Sequence, residues 1–192
     1  MSRVCKIILI CEGFRDSAFA RAFLKEAGID PRTIEPKTNP RGSGHDWVKA
    51  QFIEEVANLN RFAEGRGVLG LLDEDGQGVD VRKKQVADLL QTKNLPAIAS
   101  NQGRCLLLPT RNIETWLYWL IARRDNISIN INQVSNYKTQ APVGMSKIAD
   151  KHCRPAGEYL QTLDHTRLPN GCPLMLAQSL VELRDFLNSV RR

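Results

Sequence analysis

Val4-Cys5-Lys6-Ile7-Ile8-Leu9-Ile10-Cys11-Glu12-Gly13 is the stretch on which the reading of this chain turns. The β-rich, nearly continuous apolar run from Val4 to Cys11 is what a strand covered on both faces requires, so it predicts a central parallel strand. It stops abruptly at a carboxylate and a glycine. Beyond it Phe14, Ala18, Phe19, Ala22 and Phe23 recur at helical spacing, with Gly28 as a stop before Pro31. Strand, tight turn and helix follow in that order.

The same grammar continues downstream. Thr33 to Lys37 reads as a short strand near a sheet edge, because Pro31, Pro36 and Pro40 crowd it. A Gly- and Pro-rich loop, 38–44, leads to Val48, Phe52, Val56, Leu59 and Ala63 on one helical face, closing at Gly65. Val68 to Leu72 is the second strong strand, and it ends in Asp73-Glu74-Asp75-Gly76. Val79, Val86, Leu89 and Leu90 mark a helix, and Cys105 to Leu108 a further buried strand before Pro109. Alternating strands and helices predict an α/β architecture with right-handed crossovers, a mainly parallel sheet flanked by helices.

Residues 1–124 are assigned to this layer and residues 125–192 to a connecting segment and a helical C-terminal extension packed on it. Ile113, Trp116, Leu117, Leu120 and Ile121 trace an apolar stripe that should pack on the sheet. Asn126 to Gln140 is polar and Asn-rich, as expected of an extended connection. Helix is expected to resume over Met145 to Cys153 and Gly157 to Leu163. Leu176, Leu180, Leu183, Leu187 and Val190 then define a last amphipathic helix that must dock on something.

Composition narrows the class. In 192 residues, 27 Lys and Arg against 21 Asp and Glu leave a charge of +6, which favours polyanionic partners without requiring them. No stretch approaches the roughly 18 apolar residues of a membrane span, and the N-terminal apolar run is too short and too early for a secretory leader. Cys5, Cys11, Cys105, Cys153 and Cys172 are odd in number and scattered, which argues for a reducing, cytoplasmic setting and against a disulfide framework. His152, Cys153, His165 and Cys172 make a poor zinc set, since adjacent ligands suit a tetrahedral ion badly and CxxC spacing is missing.

The chemistry lies in the acids. Glu12, Asp73 and Asp75 fall at the carboxyl ends of predicted parallel strands, where open α/β sheets gather functional side chains. Two or three carboxylates with a substrate phosphate suffice for Mg²⁺. In extended backbone Asp73 and Asp75, two apart, would point the same way and share an ion. Asp16 either joins a metal site or caps the first helix, and Glu114 is either a ligand or a first-turn acid stabilised by the helix dipole.

Cys11-Glu12-Gly13-Phe14-Arg15-Asp16 resembles the glutamate-glycine motif that opens a TOPRIM domain, in the EGxxD form of overcoming-lysogenization-defect (OLD) nucleases and related bacterial defence proteins. Leu71-Leu72-Asp73-Glu74-Asp75-Gly76 resembles the DxD motif of the same family, and the separation of about 60 residues fits. A third segment, Pro109 to Leu117 with Ile113-Glu114-Thr115-Trp116, resembles an IExW signature of small TOPRIM-like families. The resemblance covers residues 3–122 and implies a Rossmann-like TOPRIM fold with a Mg²⁺ or Mn²⁺ site for nucleic-acid chemistry. It implies Glu12 as general base or metal ligand and Asp73 with Asp75 as metal ligands, with Asp16 and Glu114 as further candidates.

A 192-residue chain has no room for a topoisomerase's tyrosine-bearing domain, and no GxxxxGK[ST] motor is present, so an ATPase partner would come from another polypeptide. The expected function is a metal-dependent nuclease cutting DNA or RNA, in a bacterial anti-phage setting. The alternative is a non-catalytic TOPRIM-derived subunit binding a partner protein or nucleic acid. Arg41, Arg82, Lys83, Lys84 and Arg111 are the candidate phosphate contacts, with Arg82-Lys83-Lys84 the densest cluster. His45 is a possible proton carrier beside them, although a lone loop histidine is more often a cap.

Overall fold

The computed structural model describes residues 6–40, 44–59, 66–130, 137 and 139–191. β1 (Lys6–Cys11) lies inside the sheet, paired in parallel with β2 (Ile34–Thr38) on one side and β3 (Arg66–Leu71) on the other. β4 (Arg104–Leu107) adds to the far side of β3, so the order is β2-β1-β3-β4 and every pairing is parallel. Parallel neighbours need crossovers, and α1 (Phe14–Glu26), α2 (His45–Leu59) and α3 (Val79–Thr92) supply them. α4 (Ile113–Arg124), α5 (Cys153–Thr162) and α6 (Leu174–Val190) complete the chain. The fold is the expected α/β one, a Rossmann-like parallel sheet flanked by helices with a helical C-terminal extension.

Side chains alternate across the pleat and separate two cores. Ile7, Leu9, Cys11, Leu69, Leu71, Cys105 and Leu107 face the cluster that includes α1, α4, α5 and α6. Ile8, Ile10, Val68 and Leu106 face Val48, Phe52 and Val56 of α2 and Val86 and Leu90 of α3. At roughly 1.5–3 kcal/mol for each large apolar side chain fully buried, these two layers supply the main driving force for folding. β2, with Pro36 and exposed alternate positions, occupies the edge that its prolines predict.

Two expectations need correction. α4 is not a one-sided stripe: Ile113 to Ala122 are all buried, because the helix is enclosed in the larger core with α5 against it. Residues 145–149 are irregular rather than helical, and a single 3₁₀ turn, Asp150–His152, leads into α5. Gly157 therefore lies inside α5. A Cβ there would sit 2.2 Å from the Phe19 carbonyl oxygen of α1, so the missing side chain lets the two helices close. The last helix behaves as its periodicity requires, with Leu176, Leu180, Leu183, Leu187 and Val190 all buried. Ala63 and Gly65, expected to end α2, lie outside the described residues, as does Cys5. No helix among the described residues is long and apolar enough to cross a membrane.

The topology places a crevice. α1 leaves β1 toward one face of the sheet, while α3 leaves β3 toward the other. The carboxyl ends of β1 and β3 thus flank the point where connections diverge, which is where open α/β sheets bind ligands.

Candidate active site at the carboxyl rim of the sheet

Glu12 and Asp73 meet at this crevice. The Asp73 backbone N–H donates to Glu12 Oε1 at 3.2 Å, joining residues 61 apart in sequence. Asp73 is buried, and its Oδ1 accepts the Ile113 N–H at 2.9 Å. Ile113 opens α4, so the carboxylate sits on the positive end of a helix dipole. Burial of the β1 end leaves its mark on Cys11, whose thiol is raised well above 9.0 by desolvation first and then by the charges of Asp16 and Glu12.

Glu74, which the sequence reading passed over, organises the loop. Its Oε1 accepts the Gly76 and Arg111 N–H groups, both at 3.1 Å, and its Oε2 accepts the Gly78 N–H at 2.5 Å. The loop after β4 runs alongside: Glu74 N–H donates to the Pro109 carbonyl at 3.2 Å and Asp75 N–H to that of Arg111 at 3.0 Å. Asp75 and Arg111 take left-handed backbone angles, φ 50° and 64°, a conformation that costs non-glycine residues about 1 kcal/mol or more each. Gly76 and Gly78, close behind, are the signal that the strand had already ended.

That turn corrects the expected Asp73–Asp75 pairing. Strand alternation fails once residue 75 leaves the extended region, so Asp73 points to the α4 N-terminus while Asp75 faces α2 and α3. There Asp75 Oδ2 lies 3.9 Å from Arg82 Nη2 and 4.0 Å from His45 Nδ1. Both separations are long, and the Asp75 side chain is 38% exposed.

Asp16 and Glu114 lie nearby, one bonded to backbone and the other to a guanidinium. Asp16 Oδ2 accepts the Gly13 N–H at 3.0 Å, which is the capping alternative for this residue. Glu114 is buried, and its Oε1 meets Arg15 Nη1 at 3.1 Å, while Arg15 Nε also holds Asp150 at 2.8 Å. The guanidinium of Arg15 is pushed up chiefly by the Asp150 bond, with Glu114 adding to it against the cost of burial. Glu114 Oε2 and the Asn112 Oδ1 beside it are buried and have no hydrogen-bond partner among the described residues.

The basic cluster divides between interior and surface, with Arg82 buried and Lys83 and Lys84 beside one another at the surface. Arg82 is 1% exposed, with its Nε on the Glu74 carbonyl at 3.3 Å, so it braces the acidic loop from behind and is not a surface phosphate contact. Helical geometry turns its neighbours outward, where Lys83 pairs with Glu182 at 3.1 Å and Lys84 with Asp88 at 2.7 Å. Arg111 remains at the rim, and Arg41 lies outside the described residues. Trp116 and Trp119 are core residues, unavailable to stack on bases.

Thiol chemistry is not offered here. Burial pushes Cys105 and Cys153 up to about 12 and Cys172 to about 11, so all are protonated at neutral pH. At pH 8, iodoacetamide should leave Cys11, Cys105 and Cys153 unmodified in the folded protein, read by peptide mass spectrometry. Rapid alkylation of Cys153 would contradict its placement.

The donor set suits a divalent cation in a restricted form. Among the described residues no group of three or more His, Cys, Asp and Glu side chains is placed to hold a metal ion, so the expected convergence of Glu12, Asp73 and Asp75 is not preformed. Mg²⁺ is commonly held through one or two carboxylates, with water and substrate phosphate filling its octahedron. Glu12 and Asp73 supply hard oxygen donors at one crevice, and Asp75 lies on the same loop, turned toward His45 and Arg82.

Fold and rim together define a Rossmann-like α/β protein with acidic residues at its topological switch point. Comparison with protein-family models, with curated proteins and with solved structures returned no match.

Proposed function

We propose that this chain is a TOPRIM-like, metal-dependent phosphodiesterase, a nuclease acting on DNA or RNA with Mg²⁺ or Mn²⁺. The observation that carries this reading is the Glu12–Asp73 contact across the crevice between β1 and β3. The carboxylate that ends β1 reaches the backbone of an aspartate just past β3, at the point where such sheets bind their ligands. A cation bound by Glu12 and Asp73 would polarise a phosphodiester and lower the pKa of bound water. Glu12, half-buried and steered by the Asp73 N–H, is set to hold that cation or take a proton. Asp75 stands on the same loop with its Oδ2 near His45 Nδ1 and Arg82 Nη2, and a small turn of that loop would bring its carboxylate toward the rim.

The test is cleavage of plasmid DNA and of structured RNA with Mg²⁺ or Mn²⁺. EDTA should stop it, and Glu12→Gln should lower the rate by about 100-fold or more with the circular dichroism spectrum unchanged. A wild-type rate that survives EDTA, or an active Glu12→Gln protein, removes this reading.

One observation favours a second reading, a non-catalytic TOPRIM-derived subunit that binds a partner protein or nucleic acid. Asp75 faces Arg82 and His45, and Glu114 is paired with Arg15, as in a site that has exchanged metal binding for internal ion pairs. Under this reading no cutting occurs at any metal concentration, while nucleic acid or a separately encoded partner, such as an ATPase, is still bound.

A further inference from the structure

A groove of about 380 Å³ begins at the same rim and runs along the outer face of α1. Phe14, Ser17, Ala18, Arg21, Ala22 and Lys25 line its helical wall, following the three- and four-residue steps of one helix face. At 1.5 Å per residue, Phe14 to Lys25 spans about 16 Å. Pro36 and Thr38 of β2 form part of the opposite side, and Arg154 of α5 adds to the lining. Thr38 pairs with Cys11, the residue before Glu12, and Phe14 is two residues after it, so the groove opens beside the candidate site.

Its chemistry is one-sided. Arg21, Lys25 and Arg154 bring positive charge, and among the described residues no acidic side chain lines the groove. Arg154 also holds Glu158 at 2.6 Å, whereas Arg21 and Lys25 are exposed and make no ion pair among the described residues. Phe14 is 70% exposed, the first residue of a helix whose other phenylalanines are buried. A large aromatic ring held in water has no part in the core, and here it stands at the groove's mouth.

We infer that this groove binds single-stranded nucleic acid, with Phe14 as a stacking platform for one base and Arg21, Lys25 and Arg154 neutralising the phosphates that follow. An apolar floor with an exposed ring takes an unstacked base, and a cationic wall tracks a backbone. A duplex keeps its base faces stacked inside, so the ring would have nothing to receive. The inference deepens the nuclease reading and rests on it for the direction of the strand, from groove to rim.

Fluorescence anisotropy of the full chain with a labelled single-stranded octanucleotide, DNA and RNA, in EDTA tests it without cleavage. The single strand should bind, and more tightly than a blunt duplex of the same length. Phe14→Ala should weaken binding by roughly 5- to 100-fold, the worth of one base stack, while Phe14→Trp restores it. Arg21→Ala with Lys25→Ala should weaken it further and flatten its salt dependence by about two phosphates. Phe14 is exposed, so these variants fold as the parent does. Unchanged binding in Phe14→Ala, or preference for the duplex, overturns the inference. The two readings fail separately: cleavage with Phe14-independent binding sinks only the groove, whereas Phe14-dependent binding without metal-dependent cleavage sinks only the nuclease.

Discussion

Asp73→Asn is expected to lower metal-dependent cleavage by about 100-fold or more with almost no change in the unfolding midpoint, because only its charge is lost. The asparagine carbonyl oxygen can still accept the Ile113 N–H, so the junction between the acidic loop and α4 survives. One residue on, the expectation reverses. Glu74→Ala leaves the N–H groups of Gly76, Gly78 and Arg111 without their acceptor, at an expected cost of about 3 kcal/mol. Two strained residues, Asp75 and Arg111, depend on those bonds, so the loop should relax and cleavage fall as well. Urea unfolding beside a cleavage assay separates the neighbours. An Asp73→Asn protein as unstable as Glu74→Ala would mean that Asp73 is a structural anchor and not a site residue.

Gly157→Ala carries the second large effect, and its sign is diagnostic. Inside an ordinary exposed helix this change stabilises by about 1 kcal/mol, because alanine restricts the unfolded chain. In α5 the new methyl would stand 2.2 Å from the Phe19 carbonyl oxygen and 3.0 Å from Ala22 Cβ. Backbone cannot rotate away as a side chain can, so α5 must lift off α1 at an expected cost of about 3 kcal/mol. Denaturant titration checks it: a midpoint equal to or above the parent's would show that the two helices are not packed this closely. Because α5 also carries Arg154, the same variant should loosen the groove beside α1.

The two readings of Asp16 show how far local sequence reaches. Its position three residues after Gly13 allowed a cap or a ligand, and the hydrogen bond to the Gly13 N–H supports the cap. Glu74 lay in view between two favoured aspartates and was missed, since strand alternation turns the middle residue away. Only the left-handed turn at Asp75 redirects it onto three backbone amides. Arg82 looked like the head of a basic patch because charge runs usually lie in solvent. Helix α3 instead turns it inward against the Glu74 carbonyl, a placement that depends on where the sheet stands.

What the sequence determined by itself was the order of strands and helices, the apolar faces of β1 and α6, and the location of acids at strand ends. Those follow from periodicity and turn chemistry, which act over a few residues. Tertiary structure alone decided which acids meet, that Glu114 takes Arg15 and Asp75 faces Arg82, and that a groove with an exposed phenylalanine opens beside Glu12. Each depends on the separation and angle of elements distant in the chain, and those are set by how the helices pack in the two cores on either face of the sheet.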